Sequence, residues 1–418
     1  VIILQTMKRL LSISIVLMLI ACQAQQNVDV QPSPSDPADD VEAPIVEWVF
    51  GEPVEQLPQL TPYGPNFENQ LRAPGMITQQ AYHVETLDVS LVAPWSIKIA
   101  PNGTFFITER AGNLVVLNPD LSITRIRIPV QLERANQGGL LDLVLAADFT
   151  RSRTLYFSLS VSRSNGSTTA LARAVLTPDL NDFVSFDVLF EARPMVRSEL
   201  HYGARLVLMP DNTLLMSIGD RNSNRSLIQD LTTHLGKVLH LDQNGTLINH
   251  PDYPAPGIFA LGLRNPQGLI QDPRTQELFA SDMGPRSGDE INQMVAGGNY
   301  GWPIISHGLE YNGQPVGSGL SQRDGYLQPR YVWDPAVAPS GMAIYAHNAM
   351  AEWENDLLIA ALRGRHLIRL KRQGDRIIGE ERLLSNLEQR LRDVTVSDSG
   401  WVYVISDEGY LHRLRPYE

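Results

Sequence analysis

The chain has 418 residues, with 34 Lys and Arg against 46 Asp and Glu and a formal charge of −12 at pH 7. That acidic balance, with no basic cluster as a local exception, argues against nucleic acid as a partner. A single cysteine, Cys22, excludes internal disulfides and cysteine-based metal sites.

In chain order, the first element reads as a leader. Met7 is the expected start, Lys8 and Arg9 supply a positive region, and residues 10–20 form an apolar run too short to span a bilayer. The run ends in Leu-Ile-Ala-Cys. That is the pattern of a bacterial lipoprotein signal, in which Cys22 becomes the lipidated N-terminus; the alternative is a secretory peptide with an incidental cysteine. Residues 1–22 are assigned to this signal, and residues 23–73 to a tether and N-terminal extension. Residues 23–44, QAQQNVDVQPSPSDPADDVEAP, have almost no large apolar side chains and read as disordered. The expectation is an exported protein of the periplasm or cell envelope, attached to the membrane only through lipid on Cys22. Gln23, where an aspartate would favour inner-membrane retention, points to the outer membrane in an organism that has one.

Residues 74–418 are long enough for one large domain. Short β-type runs dominate, among them WSIKIA, TFFITE, NLVVL, TLYFSLSV, ARLVLM, TLLMSI, KVLHLD, DLLIAAL, HLIRLK and WVYVIS. Each is bounded by Gly, Pro, Asn or Asp. A unit recurs: a turn, an alternating apolar strand, then a polar pair. APNGTFFITERAGNLVVL shows it, and MPDNTLLMSIGD, QDPRTQELFASDMG and VSDSGWVYVISDEGYLHRL repeat its first half. Copies this far apart fit an all-β, six-bladed β-propeller of four-stranded antiparallel blades, at roughly 50–60 residues per blade. A two-sheet sandwich is the rival, but gives no reason for the recurrence.

Polar clusters interrupt the strands. Gln137 precedes two glycines, and His201 stands in LHYGARL. Arg264, Asn265 and Gln267 lie in LGLRNPQGL, while Arg363, Arg390 and Arg392 form a scattered basic set. Arg390 and Arg392 share one face of a strand; the pair is either solvated or shares an anion. Converging arginines suit a small ligand with several carboxylates. The stretch from Ser281 to Pro303 contains GPRSGDE. It reads either as an acidic turn or as a calcium loop using the Gly284 and Pro285 carbonyls, with Glu290 on the same or a second ion. His201 alone is either a hydrogen-bonded structural histidine or a base.

GLRNPQGL, MGPRSGDEIN and GGNYGWP closely resemble the soluble quinoprotein aldose (glucose/sorbosone) dehydrogenases, six-bladed propellers that bind pyrroloquinoline quinone (PQQ) and calcium. PWSIKIAPNGTFFITERAG, QGGLLDLVLAADF, HYGARL, GKVLHLDQNG, VAPSGMAIY and RLRDV extend the resemblance from about Pro94 to the C-terminus. It implies that His201 is the catalytic base and that Gln137, Arg264, Asn265, Gln267, Arg390 and Arg392 contact the cofactor. It implies that the Gly284 and Pro285 carbonyls hold the catalytic calcium, and that Glu290 and Tyr300 ligate a structural one. Arg363 stands where the glucose-oxidising branch has a lysine in contact with the quinone. Leu200, Met283 and Ala336 replace polar residues of that branch, and its long specificity loops are not evident, so the match is to the aldose sugar dehydrogenase branch rather than to a dedicated glucose enzyme.

The implied reaction oxidises the anomeric carbon of an aldose to a lactone. Hydride passes to the quinone, His201 takes the hydroxyl proton, Arg264 stabilises developing negative charge, and a separate acceptor, which the residues do not identify, collects the electrons. Two other readings remain at this point: a calcium-propeller lactone hydrolase, and a non-catalytic surface-tethered binding propeller.

Overall fold

A computed structural model of the chain describes residues 48–417. The signal at 1–22, Cys22 and the tether at 23–44 lie outside the described residues.

The described chain folds as a six-bladed β-propeller. Blades 1, 2 and 3 run outward from inner strands Pro94–Ile99, Leu140–Leu145 and Gly203–Leu208. Blades 4, 5 and 6 start from Pro266–Gln271, Pro339–Ile344 and Leu391–Val396. The six inner strands touch one another in cyclic order around a central channel. Blade 6 takes its outer strand, Tyr82–Thr86, from the N-terminal side of the domain and pairs it antiparallel with Leu411–Pro416, which closes the ring.

Each pair of neighbouring blades encloses its own apolar cluster. Phe106, Leu114 and Phe157 lie between blades 1 and 2, and Ile107, Val115, Tyr403 and Ile405 lie between blades 6 and 1. Second strands such as Phe105–Glu109, Leu357–Ala361 and Val402–Ser406 are therefore buried on both faces. This explains why their sequences are nearly continuous apolar runs rather than strict alternations.

The described part of the extension begins at Trp48. Phe50–Gly51 pairs with Gly75–Met76, which adds in parallel to the outer strand of blade 5. The Thr61 amide and hydroxyl donate to Asp334 Oδ2 at 2.9 and 2.7 Å, and Gln70 Nε2 donates to the Pro329 carbonyl at 2.9 Å.

One irregularity repeats around the ring. All six inner strands carry a register shift near their first residues. The residues it leaves without a cross-strand partner include Trp95, Asp142, Arg205, Gln267 and Arg392. A bulge re-aims side chains, and here it turns charged and polar ones into the channel. Arg205 Nη1 bonds Asp142 Oδ1 at 3.2 Å and Asp393 Oδ2 at 3.1 Å, so it bridges blades 2, 3 and 6. Its Nε donates to the Gln267 carbonyl of blade 4 at 2.8 Å, and its guanidinium stacks 4.3 Å from the Trp95 ring of blade 1. Burial works against the charge on Arg205, but the two carboxylates outweigh it and raise its pKa. Blade 5 contributes Gly341, where a Cβ would lie 1.7 Å from Asp393 Oδ1.

Arg205→Met should leave two buried carboxylates facing each other with only the partly exposed Lys98 ammonium, 3.9 Å from each, as counter-charge. Breaking a buried ion pair from one side costs about 3–5 kcal/mol. Chemical unfolding of the variant is expected to show a loss of that size.

Candidate active site

The polar pair that ends the recurring strand unit has a common structural use. In four blades the second strand ends at or next to an acid: Glu109, Asp220, Asp282 and Asp407. Each carboxylate grips the segment leading into the inner strand of its own blade. Glu109 accepts from the Val92 amide at 3.0 Å, and Asp282 accepts from the Arg264 and Asn265 amides at 2.8 and 2.6 Å. Asp220 holds the His201 ring, and Asp407 holds Arg390 and Arg392. In blade 2 a serine takes the same part, with Ser160 Oγ accepting from the Gly139 amide at 2.7 Å. The segment leading into blade 5 is held from blade 4 instead, where Asp289 accepts the Val337 and Ala338 amides at 2.7 and 2.6 Å. Most of the sequence-predicted side chains sit on these gripped segments, so they gather at one end of the channel.

His201 is 6% exposed and its backbone has φ +50°, a left-handed conformation unusual for a non-glycine residue. Its amide donates to Gln137 Oε1 at 2.8 Å, and its Nδ1 lies 2.7 Å from Asp220 Oδ1. A carboxylate at Nδ1 makes that nitrogen the proton carrier and leaves Nε2 as the acceptor. Among the described residues Nε2 has no hydrogen-bond partner. Burial lowers the His201 pKa below its ordinary value; the Asp220 bond opposes this, and the charges of Arg264 and Arg221 add to it.

Arg264 is buried over the acidic loop. Its Nη1 donates to the carbonyls of Met283 and Gly284 at 2.8 and 2.7 Å. Those carbonyls thus already converge on a positive group, while the Pro285 carbonyl accepts no bond among the described residues. Beneath them the acids are held well above their usual range: Asp282 at about 7 and Asp289 at about 6, both through burial, and Glu290 at about 8 through burial and then the charge of Asp282. Arg264, Asp282, Gly284, Glu290 and Tyr300 line one cavity of about 10 Å³, room for a single water-sized ion. The Tyr300 hydroxyl is committed, donating to the Gln293 carbonyl at 2.6 Å and accepting from the Val295 amide at 3.0 Å, so only its main-chain carbonyl is left for a ligand. No cluster of three His, Cys, Asp or Glu side chains suited to a metal occurs among the described residues. A cation here would draw on main-chain carbonyls together with the Glu290 carboxylate, an all-oxygen donor set that suits Ca²⁺.

Arg390 and Arg392 do share an anion, and it belongs to the chain. Asp407 accepts from Arg390 Nε at 3.0 Å and from Arg392 Nε and Nη2 at 2.8 and 3.1 Å. Burial raises the Asp407 pKa, and the two arginines more than reverse it. Arg110 joins them: burial first, then the neighbouring charges of Arg392 and Arg390, lower its pKa. Arg390, Arg392 and Arg110 outnumber Asp407 and Glu408, whose carboxylate accepts from the Arg390 amide, and this leaves a positive surplus suited to a carboxylate-rich ligand. Gln267 faces the channel and accepts from Arg392 Nη1 at 3.0 Å. Asn265 accepts from the Gly203 amide at 3.2 Å and donates to the Met283 sulfur at 3.6 Å, which gives the unexpected methionine a polar use. Arg363 is exposed at the rim, where it reaches the Arg286 carbonyl at 3.5 Å. Leu200 is half-buried beside His201, and Ala336 is buried.

Sequence reasoning missed Asp220, Asp282, Asp407 and Arg110. The signal for the three acids was present in the repeat itself, as the last residue of SIGD, FASD and VISD.

The family model of the Glucose / Sorbosone dehydrogenases matches residues 91–413. Aldose sugar dehydrogenase YliI of Escherichia coli is 34% identical over 346 residues, covering 80% of this chain and 93% of that protein. Quinoprotein glucose dehydrogenase B of Acinetobacter calcoaceticus is 26% identical over 401 residues, covering 76% of this chain and 84% of that protein. The crystal structure of the soluble aldose sugar dehydrogenase of Escherichia coli in its apo form matches with a TM-score of 0.76 and 32% identity, over 81% of this chain and 100% of that one. With its motifs, its six blades and these relatives in agreement, the chain belongs to the glucose/sorbosone dehydrogenase family of soluble PQQ-dependent aldose sugar dehydrogenases.

Proposed function

We propose that the protein oxidises aldose sugars at the anomeric carbon to lactones, with PQQ and calcium as cofactors and His201 as general base. The observation that carries this reading is the His201–Asp220 pair, in which a buried carboxylate 2.7 Å from Nδ1 leaves Nε2 free to accept a proton. PQQ, when bound, supplies the quinone that accepts hydride, and calcium supplies Lewis-acid polarisation.

The chain's own residues supply the rest. His201 Nε2 accepts the proton of the anomeric hydroxyl, and Asp220 keeps the proton on Nδ1 and stabilises the imidazolium that forms. Arg264 carries fixed positive charge to where negative charge develops. Arg390, Arg392 and Arg110 neutralise carboxylates of the cofactor, with Arg363 at the rim and Gln137, Asn265 and Gln267 as polar contacts. The Gly284 and Pro285 carbonyls would hold the catalytic calcium, and Glu290 with the Tyr300 carbonyl would hold a structural one. Lipid on Cys22 anchors the protein at the cell envelope. No helix among the described residues is long and apolar enough to cross a membrane.

His201→Ala should lower turnover by about 10²–10⁴-fold, the usual contribution of a positioned base. PQQ affinity and melting temperature should stay near wild type, and a small chemical reductant should reduce the bound quinone as before. Because the neutral imidazole is the active form and its pKa is lowered, turnover should hold as pH falls past the ordinary histidine value of about 6.5 and drop only below it. A pH–rate profile checks this.

Arg392→Ala should weaken PQQ binding by about 10- to 100-fold, the loss of a charge-assisted hydrogen bond. Fluorescence titration with PQQ reads the change directly.

Cys22→Ser should move the protein from the membrane to the soluble fraction of fractionated cells. Unchanged membrane association would overturn the anchor.

A further inference from the structure

Trp302 lies outside the residues assigned above, yet it bonds the carboxylate that holds His201. It is 5% exposed, and its Nε1 donates to Asp220 Oδ2 at 2.9 Å. Asp220 therefore divides its oxygens: Oδ1 faces His201 Nδ1 at 2.7 Å and also accepts the Asn222 amide at 2.6 Å, while Oδ2 takes the indole.

The indole is itself braced. The Arg225 guanidinium lies 4.8 Å from the ring centroid, within cation–π range. Arg225 meets Glu310 through two parallel bonds, Nη1 to Oε1 and Nη2 to Oε2, the second at 3.0 Å. Arg225 sits in the short 3₁₀ turn Arg225–Leu227 of blade 3, and Glu310 sits on the long connection inserted into blade 4. A continuous set of contacts thus runs from Glu310 through Arg225, Trp302 and Asp220 to His201. Arg264 also lies near the ring, 5.5 Å from its centroid.

We propose that Trp302 is a positioning residue for the oxidation: its indole N–H fixes Asp220, and through Asp220 the orientation and basicity of His201, with the Arg225–Glu310 pair holding the indole in place. The proposal rests on the reading of His201 as base. The physical reason is competition for one carboxylate. A donor on Oδ2 draws charge away from Oδ1, so Asp220 supports the imidazolium less than it would alone. The charged groups that face His201 are Asp220, Arg221 and Arg264, with Arg225 reaching Asp220 from behind the indole. Removing the indole N–H or the Arg225 charge leaves the first three in place and makes Asp220 a stronger partner for protonated His201. His201 should then protonate at higher pH and be less firmly aimed.

The test uses Trp302→Phe, which keeps an aromatic ring and loses the donor, and Arg225→Gln at a half-buried position less able to disturb the fold. In each, the His201 ring is titrated by NMR on histidine-labelled protein, its resonance assigned by its absence in His201→Gln. Turnover is then measured against pH on PQQ- and calcium-loaded enzyme. Trp302→Phe should raise the titration midpoint by about half to one pH unit, the worth of one hydrogen bond. It should lower kcat several-fold with KM for the sugar little changed. Arg225→Gln should shift the midpoint the same way by less. If the midpoint moves in neither variant, the proposal is overturned, whatever happens to melting temperature. If it moves in both and the acid limb of turnover follows, the proposal stands. If it moves while the acid limb stays put, the coupling to His201 stands, and the assignment of His201 as the base is what fails.

Discussion

Arg205 lies across the channel between Asp142 and Asp393, three side chains from three blades, with Gln267 and Trp95 of two more against it. In a region this buried, each charge is costly unless its partners sit in good geometry. The pairing therefore fixes where the inner strands stand relative to one another, a task that apolar contacts between blades, being non-directional, perform less sharply. Gln267 gives its main-chain carbonyl to Arg205 and its side-chain oxygen to Arg392. The same lattice of contacts thus runs from the middle of the channel to the cationic cluster at its mouth. A bulge at the start of every inner strand makes this possible, because regular pairing would keep these residues within the alternation of the strand.

The carboxylates above that level each serve a different residue by the same geometry. In blade 3 the gripped group is an imidazole, in blade 4 two backbone amides, and in blade 6 two guanidiniums. One repeated scaffold contact therefore presents a base, an electrophilic arginine and an anion site in neighbouring sectors of one ring. Only the residue just ahead of the inner strand has to differ between blades.

The blades were legible because the turn–strand unit recurs with its punctuation, and second strands buried on both faces stand out as apolar runs. His201, Arg264, Gln137 and the paired arginines were legible because they fall inside distinctive motifs. Their partners were not. Asp220 and Asp407 look like ordinary strand-ending acids until the bulge brings the inner strand back past them. Arg205 shares the LHYGARL motif with His201, but its partners lie 63 and 188 residues away in sequence, and nothing local marks them. The packing of residues 48–73 was equally hidden. That segment has little strand pattern and is held by side chains such as Asp334 more than 270 residues downstream.

The outer strand of blade 6 has a consequence for how the molecule is made. Thr86 pairs with His412, 326 residues further on. During synthesis five blades emerge before the partner of Tyr82–Thr86 exists, and for that interval the strand offers an open edge to any other extended chain. A contact spanning so much of the sequence is also slow to form. The arrival of Leu411–Pro416 thus converts an open arc of blades into a closed ring, and it ends the period in which the nascent blades are most exposed to aggregation and proteolysis.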